Sequence, residues 1–224
     1  MRKEVQLMKY GLLFDLDGVL VDTAKYHYLA WKKLADRLEI PFDEKDNERL
    51  KGVSRIQSLN IILSLGKREM TEGEKEVCCR EKNKIYLDYI NAITYEELLP
   101  GVKEFLIDAR KKGHKIALGS ASKNARLILE RLDLIQFFDA IVDGNSVIKA
   151  KPDPEVFMKG AEMLGKESVN CIVFEDSAAG IEAAHAGNMK AVGIGAATYL
   201  PEADLCLQNL KECYIDDIIR RLLF

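Results

Sequence analysis

The chain has little of what several classes of protein require. No apolar run approaches the roughly 20 residues of a membrane span, and no signal-like apolar segment follows the N-terminal residues Met1 to Glu4. Lys and Arg total 33 against 36 Asp and Glu, and these charges are spread along the chain. Membrane insertion, export and binding to a nucleic-acid surface are therefore disfavoured. The sequence predicts a cytoplasmic protein.

Cysteines are few and do not have the spacing of a metal site. The five present are Cys78, Cys79, Cys171, Cys206 and Cys213. They are predicted to be free thiols, mostly buried. No internal repeat or low-complexity segment is visible, and 224 residues suffice for one large domain or for a domain that carries a smaller insert.

The first strong signal is the apolar run Tyr10–Phe14, which is followed by Asp15, Asp17 and Gly18. A short apolar run without charge is typical of a strand buried on both faces of a sheet. Gly18 permits a tight turn that brings backbone N–H groups close to a ligand. Carboxylates clustered at the end of a central strand indicate a metal-assisted phosphoryl or acyl site, although an isolated Asp-x-Asp more often caps a turn.

After Asp22 the pattern changes to helical periodicity, which continues to Thr94. About four helices in this segment predict a small helical cap domain, residues 23–97, inserted into a core of residues 1–22 and 98–224. Two adjoining linkers would let such a cap open and close over a site. The helix-start signals are the N-cap Thr23 and the capping-box sequences Ser54-x-x-Gln57 and Thr71-x-x-Glu74.

From Pro100 onward, strands and helices alternate. The alternation predicts an α/β fold with a doubly wound parallel sheet, helices on both faces and right-handed crossovers. It leaves the strand order open and places the site at the carboxyl ends of the strands. The predicted strands are Lys115–Gly119, Ala140–Val142, Asn170–Phe174, Ala191–Ile194 and Asp204–Leu207, and the helices are Val102–Lys112, Asn124–Leu132, Pro154–Leu164 and Gly180–Ala186.

Polar residues suited to a phosphate follow several of these strands. The segment from Ser120 to Asn124 opens a helix, where exposed N–H groups favour an anion. Lys151 lies in a loop before another helix, and Glu175 and Asp176 follow an apolar strand. Desolvating two adjacent acids without a cation is expensive. Taken singly, Ser120 is more simply an N-cap and Lys151 a solvated charge.

Four motifs follow one another along the chain: Asp15-x-Asp17, Ser120, Lys151 and Glu175-Asp176. In this order they resemble the four motifs of the haloacid dehalogenase-like superfamily. The helical insert resembles the small cap of one of its subgroups. The resemblance spans essentially the whole chain. It implies that Asp15 is the nucleophile, forming an aspartyl phosphate, and that Asp17 is the general acid and base. It also implies a Mg²⁺ ion bound by the side chains of Asp15 and Asp176 and the backbone carbonyl of Asp17, with Glu175 supporting it directly or through water.

The same resemblance assigns substrate contacts. The transferring phosphoryl group would be bound by Ser120, the Ala121 N–H and Lys151. Strings in the cap and after Leu118 resemble the sugar phosphomutases of the superfamily. They imply that the second phosphate is held by Arg55, Ser122, Lys123 and Asn124, and that the sugar is lined by His27, Lys51, Gly52, Ser58 and Lys82. Without the resemblance, His27 is a helix-packing residue and Lys51 and Lys82 are solvated charges.

The implied reaction converts β-glucose 1-phosphate into glucose 6-phosphate through β-glucose 1,6-bisphosphate, with cap closure excluding water. A sugar-phosphate phosphatase with the same nucleophile is an alternative, because the core motifs leave the acceptor open. A non-catalytic phosphosugar-binding module is a second alternative, which the joint presence of Asp15, Asp17, Lys151 and Asp176 disfavours. Sugar phosphates are the expected partners, and a monomer is sufficient for such a site.

Overall fold

A computed structural model describes residues 8–50 and 54–223 of the chain. These residues form two compact units. The core unit comprises the described residues up to Asp22 and from Tyr95 onward, and the helical unit extends from Thr23 to Thr94. Within the described ranges, no helix has both the length and the apolar character of a membrane span.

The core unit is built on a parallel sheet of six strands in the order β3-β2-β1-β4-β5-β6. The predicted parallel α/β fold is confirmed. All residues of the two central strands, β1 and β4, are buried, because helices cover both faces of the sheet. The strands are β1 (Gly11–Phe14), β2 (Lys115–Gly119), β3 (Ala140–Val142), β4 (Cys171–Glu175), β5 (Lys190–Ile194) and β6 (Leu205–Leu207).

Register brings the sequence motifs to one edge of this sheet. Phe14, the last residue of β1, pairs with Leu118 of β2 on one side and with Phe174 of β4 on the other. The loops that follow these three strands therefore begin at the same edge of the sheet. The Phe14 and Phe174 rings are stacked with centroids 4.5 Å apart, which holds the two strand ends side by side.

The helical unit contains four described α-helices with a hydrophobic core of their own around Trp31, Leu34 and Ile62. Both predicted capping boxes, Ser54–Gln57 and Thr71–Glu74, are present. Thr23 occupies the N-cap position of the first helix but makes no capping bond; its hydroxyl accepts a hydrogen bond from Tyr86 at 3.3 Å. The helices are α1 (Ala24–Arg37), α2 (Glu44–Glu48), α3 (Arg55–Leu65) and α4 (Glu72–Asn91).

Five described α-helices accompany the sheet in the core unit, and four of them lie within about two residues of the predicted bounds. The fifth, α9, was not predicted, although Ile215, Ile218 and Ile219 have helical spacing and are buried. The helices are α5 (Val102–Lys111), α6 (Ala125–Arg131), α7 (Glu155–Met163), α8 (Ala178–Ala186) and α9 (Ile215–Leu223).

All five cysteines are free, as predicted. Only Cys78 and Cys171 are buried, whereas Cys79, Cys206 and Cys213 are half-buried. The expectation that most are buried is therefore wrong for these three.

A buried histidine lies at the opposite end of the sheet from the sequence motifs. His114 Nδ1 accepts the backbone N–H of Tyr10 at 3.1 Å, so its proton is on Nε2, which has no hydrogen-bond partner within the described part of the chain. Burial lowers the pKa of His114 below its ordinary value, and Lys9 and Lys112 add to this effect while Asp216 and the Tyr10 bond oppose it.

This histidine should make stability depend on pH. The unfolded chain protonates His114 at a higher pH than the folded chain, so the free energy of unfolding decreases as the pH falls below about 6.5. Replacing it in His114→Gln, which keeps an acceptor but does not titrate, should reduce the loss of stability between pH 7.5 and 5.5. Urea unfolding at both pH values measures this difference, and an unchanged loss in the variant would contradict the assignment.

Candidate active site

The site is centred on Asp15, the residue that follows β1. Its backbone N–H donates to the carbonyl of Phe174 at 2.9 Å, which continues the β1–β4 pairing past the last strand residue. The turn after it closes with the Gly18 N–H donating to the Val21 carbonyl at 2.9 Å. Gly18 has a φ of +79°, and a Cβ there would collide with the Asp176 carboxylate. The turn therefore requires glycine for both reasons.

Lys151 joins two strand ends through its ammonium group. Its Nζ lies 2.5 Å from Asp15 Oδ1 and 3.4 Å from Glu175 Oε2. The side chains of Lys151 and Asp15 are 11% exposed and that of Glu175 is 1% exposed, so both ion pairs are shielded from water. The interpretation of Lys151 as a solvated charge is wrong.

Three carboxylates converge at this edge of the sheet. Asp15, Glu175 and Asp176 can each offer one oxygen such that the three atoms lie within 4.8 Å of one another. The Ser177 hydroxyl donates to the Glu175 carboxylate and accepts the Gly180 N–H at 3.1 Å, which caps α8. Hard oxygen donors at this spacing fit a divalent cation such as Mg²⁺.

The balance of charge in this group favours a cation. Burial raises the pKa of Glu175; Lys151 opposes the shift, and the Asp15 and Asp176 carboxylates add to it. Burial acts to lower the pKa of Lys151, but Asp15 and Glu175 outweigh it and hold that pKa above its usual range. Lys151 thus pairs with two of the three acids, and the group of three carboxylates and one ammonium favours a further cation.

The segment after β2 forms a chain of short hydrogen bonds. Ser120 is buried, and its Oγ accepts the Ser122 N–H at 3.1 Å, while Ser122 Oγ accepts the Asn124 N–H at 3.3 Å. Asn124 occupies the N-cap position of α6 without a side-chain capping bond. Ala121 and Lys123 are exposed. The register described above places Ser120 beyond the same sheet edge as Asp15.

In the helical unit, Lys82 is buried among aromatic rings. Its Nζ lies 2.8 Å from His27 Nδ1, 4.7 Å from the Tyr86 ring centroid and 5.0 Å from that of Trp31. Burial lowers the pKa of His27 well below its ordinary value, and Lys82 and Arg55 lower it further. His27 is therefore neutral and accepts from the ammonium. The interpretation of Lys82 as a solvated charge is also wrong.

Arg55 and Ser58 lie on the first two turns of α3. Arg55 Nη2 donates to Asn83 Oδ1 at 2.8 Å, and Ser58 is buried. Burial lowers the pKa of Arg55, which Cys79 and Tyr86 oppose. The other two predicted sugar contacts, Lys51 and Gly52, lie outside the described residues.

Sequence reasoning missed three groups that hold these side chains. Ser177 follows the acidic pair and could have been recognised from the N-cap pattern Ser177-x-x-Gly180. Asn83 contacts Arg55, 28 residues earlier, and Tyr86 contacts Thr23, 63 residues earlier. Because both partners are distant in sequence, no local pattern indicates Asn83 or Tyr86.

Comparisons with known proteins agree with this geometry. A model of the haloacid dehalogenase-like hydrolases matches residues 11–188. The chain is 43% identical over 208 residues to β-phosphoglucomutase of Bacillus subtilis (strain 168), covering 92% of each protein. It is 31% identical over 185 residues to a phosphorylated carbohydrates phosphatase of Thermotoga maritima, covering 81% of this chain and 83% of the relative. The crystal structure of β-phosphoglucomutase from Clostridium difficile superposes with a TM-score of 0.89 at 41% identity, covering 96% of this chain and 97% of that one.

The contact between Gly18 and Asp176 can be tested through metal affinity. Gly18→Ala should push the Asp176 carboxylate aside and raise at least about tenfold the Mg²⁺ concentration that stabilises the protein against heat. Gly165→Ala is the matched control, since Gly165 also has a positive φ, +64°, but a Cβ there meets nothing within 4 Å. Thermal unfolding with increasing Mg²⁺ measures the effect, and equal Mg²⁺ requirements in the two variants would show that the contact is unimportant.

Proposed function

Because the chain belongs to the haloacid dehalogenase-like hydrolase family, we propose that Asp15 is the nucleophile of a phosphotransfer reaction. The proposed activity is that of β-phosphoglucomutase, the interconversion of β-D-glucose 1-phosphate and glucose 6-phosphate. The observation that carries this choice is the 43% identity over 92% of both chains to a protein of that name. An alignment of 208 residues must include most of the helical unit, where selection of the acceptor is expected.

The proposed chemistry assigns one task to each core residue. An Asp15 oxygen attacks phosphorus, the bond to the sugar oxygen breaks, and Asp17 gives that oxygen a proton. In the second half of the cycle, Asp17 takes a proton from the attacking sugar hydroxyl, and the phosphoryl group leaves Asp15. Lys151, Ser120 and the Ala121 N–H balance charge on the phosphoryl oxygens. The burial of Lys151 beside Asp15 supports this role, because the charge is poorly screened by water.

The carboxylate cluster fits Mg²⁺, which would be held by the side chains of Asp15 and Asp176 and the backbone carbonyl of Asp17. Glu175 would support it directly or through water. When bound, the ion neutralises the repulsion between carboxylate and phosphoryl oxygens. The excess of acids over cations in this cluster supports the assignment.

The second phosphate and the sugar need contacts of their own, because the bisphosphate intermediate must present either end to Asp15. We assign the non-transferring phosphate to Arg55, Ser122, Lys123 and Asn124, and the sugar to His27, Lys51, Gly52, Ser58 and Lys82. The charged guanidinium and the buried ammonium of the helical unit support these roles, since both can donate to oxygens of a sugar phosphate.

A sugar-phosphate phosphatase is the second candidate, and the 31% identity to the Thermotoga maritima phosphatase favours it. The two functions differ in whether water or a sugar hydroxyl receives the phosphoryl group. A cytoplasmic location and a monomeric state remain predictions from the sequence.

The reaction is tested with β-glucose 1-phosphate, Mg²⁺ and catalytic β-glucose 1,6-bisphosphate. Glucose 6-phosphate should form with little free phosphate, and neither the α-anomer nor a chelator-treated sample should react. Coupled detection of glucose 6-phosphate and a phosphate assay measure both products in one sample. Mainly free phosphate would mean that water reaches the nucleophile and would favour the phosphatase.

The nucleophile is tested by Asp15→Asn, which keeps the size of the side chain but removes the attacking oxygen's charge. Turnover should fall below detection, and no phosphorylated protein should appear by mass spectrometry after incubation with β-glucose 1,6-bisphosphate. Asp217→Asn is the control, because Asp217 is an exposed residue of α9 paired only with Arg220 in the described structure. Normal turnover in the Asp15 variant would refute the mechanism.

A further inference from the structure

Asn83 is a residue to which neither the sequence motifs nor the proposed reaction gives a role. It lies on α4 next to Lys82 and accepts a hydrogen bond from the Arg55 guanidinium at 2.8 Å. Arg55 begins α3, so this one bond joins the middle of α4 to the N-terminus of α3 across 28 residues of sequence. The structure thus supplies a hydrogen-bond acceptor for the Arg55 side chain.

The acceptor that this half-buried arginine contacts is a neutral amide and not a carboxylate. The influences that shift the Arg55 pKa are burial, Cys79 and Tyr86, and no carboxylate is among them. An aspartate at position 83 would neutralise the guanidinium and compete with an anionic ligand. The neutral amide uses one of the five donors of Arg55, and among the described residues no carboxylate forms an ion pair with the guanidinium.

The position of Arg55 at the start of α3 also favours a role in binding an anion. A cation on the first turn of a helix is opposed by the helix dipole, so its placement there does not stabilise α3. An anion at that end would interact favourably with both the guanidinium and the dipole. The α4 side chains fix the residue at two points, because the Cys79 thiol lies 3.9 Å from the Arg55 carbonyl oxygen and Asn83, four residues later on the same face, holds the guanidinium.

We propose that Asn83 is a positioning residue, which orients the Arg55 guanidinium for the non-transferring phosphate of the substrate and, by being neutral, preserves its charge for that phosphate. This inference rests on the proposed role of Arg55 in substrate binding. Asn83 acts through Arg55 and needs no contact with the substrate itself.

The test is a double-mutant cycle read by equilibrium binding of glucose 6-phosphate to the whole protein with Mg²⁺. Asn83→Ala should weaken binding about tenfold in the wild-type background and have almost no effect in an Arg55→Ala background. Arg55→Met, which keeps the apolar stem, replaces Arg55→Ala if thermal unfolding shows that protein to be unstable. Asn60→Ala on the exposed face of α3 is the matched control and should bind like the wild type.

The Asn83→Asp variant separates positioning from support of the fold. It retains an acceptor oxygen and should form an ion pair with Arg55 without lowering the melting temperature, yet it should bind glucose 6-phosphate at least as weakly as Asn83→Ala. Wild-type affinity in Asn83→Asp, or an Asn83→Ala effect of equal size without Arg55, would overturn the proposal. The binding measurements test the role of Asn83 independently of turnover. Failure of the wild-type protein to make glucose 6-phosphate would contradict only the proposed reaction.

Discussion

The site of the core unit depends on the ammonium group of Lys151, which forms largely buried ion pairs with Asp15 and Glu175. Each of these charges would be costly to bury alone, and together they still leave an excess of negative charge once Asp176 is included. The arrangement is possible because β1 and β4 are neighbours in register, with stacked Phe14 and Phe174 rings immediately before the acids. Carboxylate oxygens grouped in this way could hold a divalent cation.

In the helical unit, the described contacts of the two site cations are with neutral or aromatic groups. Lys82 is buried against two aromatic rings and a neutral histidine, and Arg55 is held by a neutral amide. Cation–π contacts and neutral acceptors are among the interactions that stabilise these groups. The core unit thus groups three acids around one ammonium, whereas the helical unit holds an ammonium and a guanidinium against neutral or aromatic groups.

The charged groups of the core unit and of the helical unit differ in how far the sequence reveals them. The acids and Lys151 belong to short motifs that can be recognised in the sequence, and their contacts join the ends of neighbouring strands. The Lys82 and Arg55 environments lie in the inserted helices, where a change of one neighbour alters the charge offered to a ligand. Selection between water and a sugar hydroxyl is therefore expected to reside in these helices.

The sequence by itself determined the parallel α/β core, the helical insert, both capping boxes and the residues that follow each strand, because these depend on local periodicity and on short motifs. Helix α9 was within reach of the same reasoning and was missed. Only the tertiary structure decided the strand order, the burial of Lys151 and Lys82, and the partners Ser177, Tyr86 and Asn83. Whether a lysine is solvated or buried depends on side chains from distant segments, and the hydrophobic and electrostatic contacts that bring those segments together leave no local pattern in the chain.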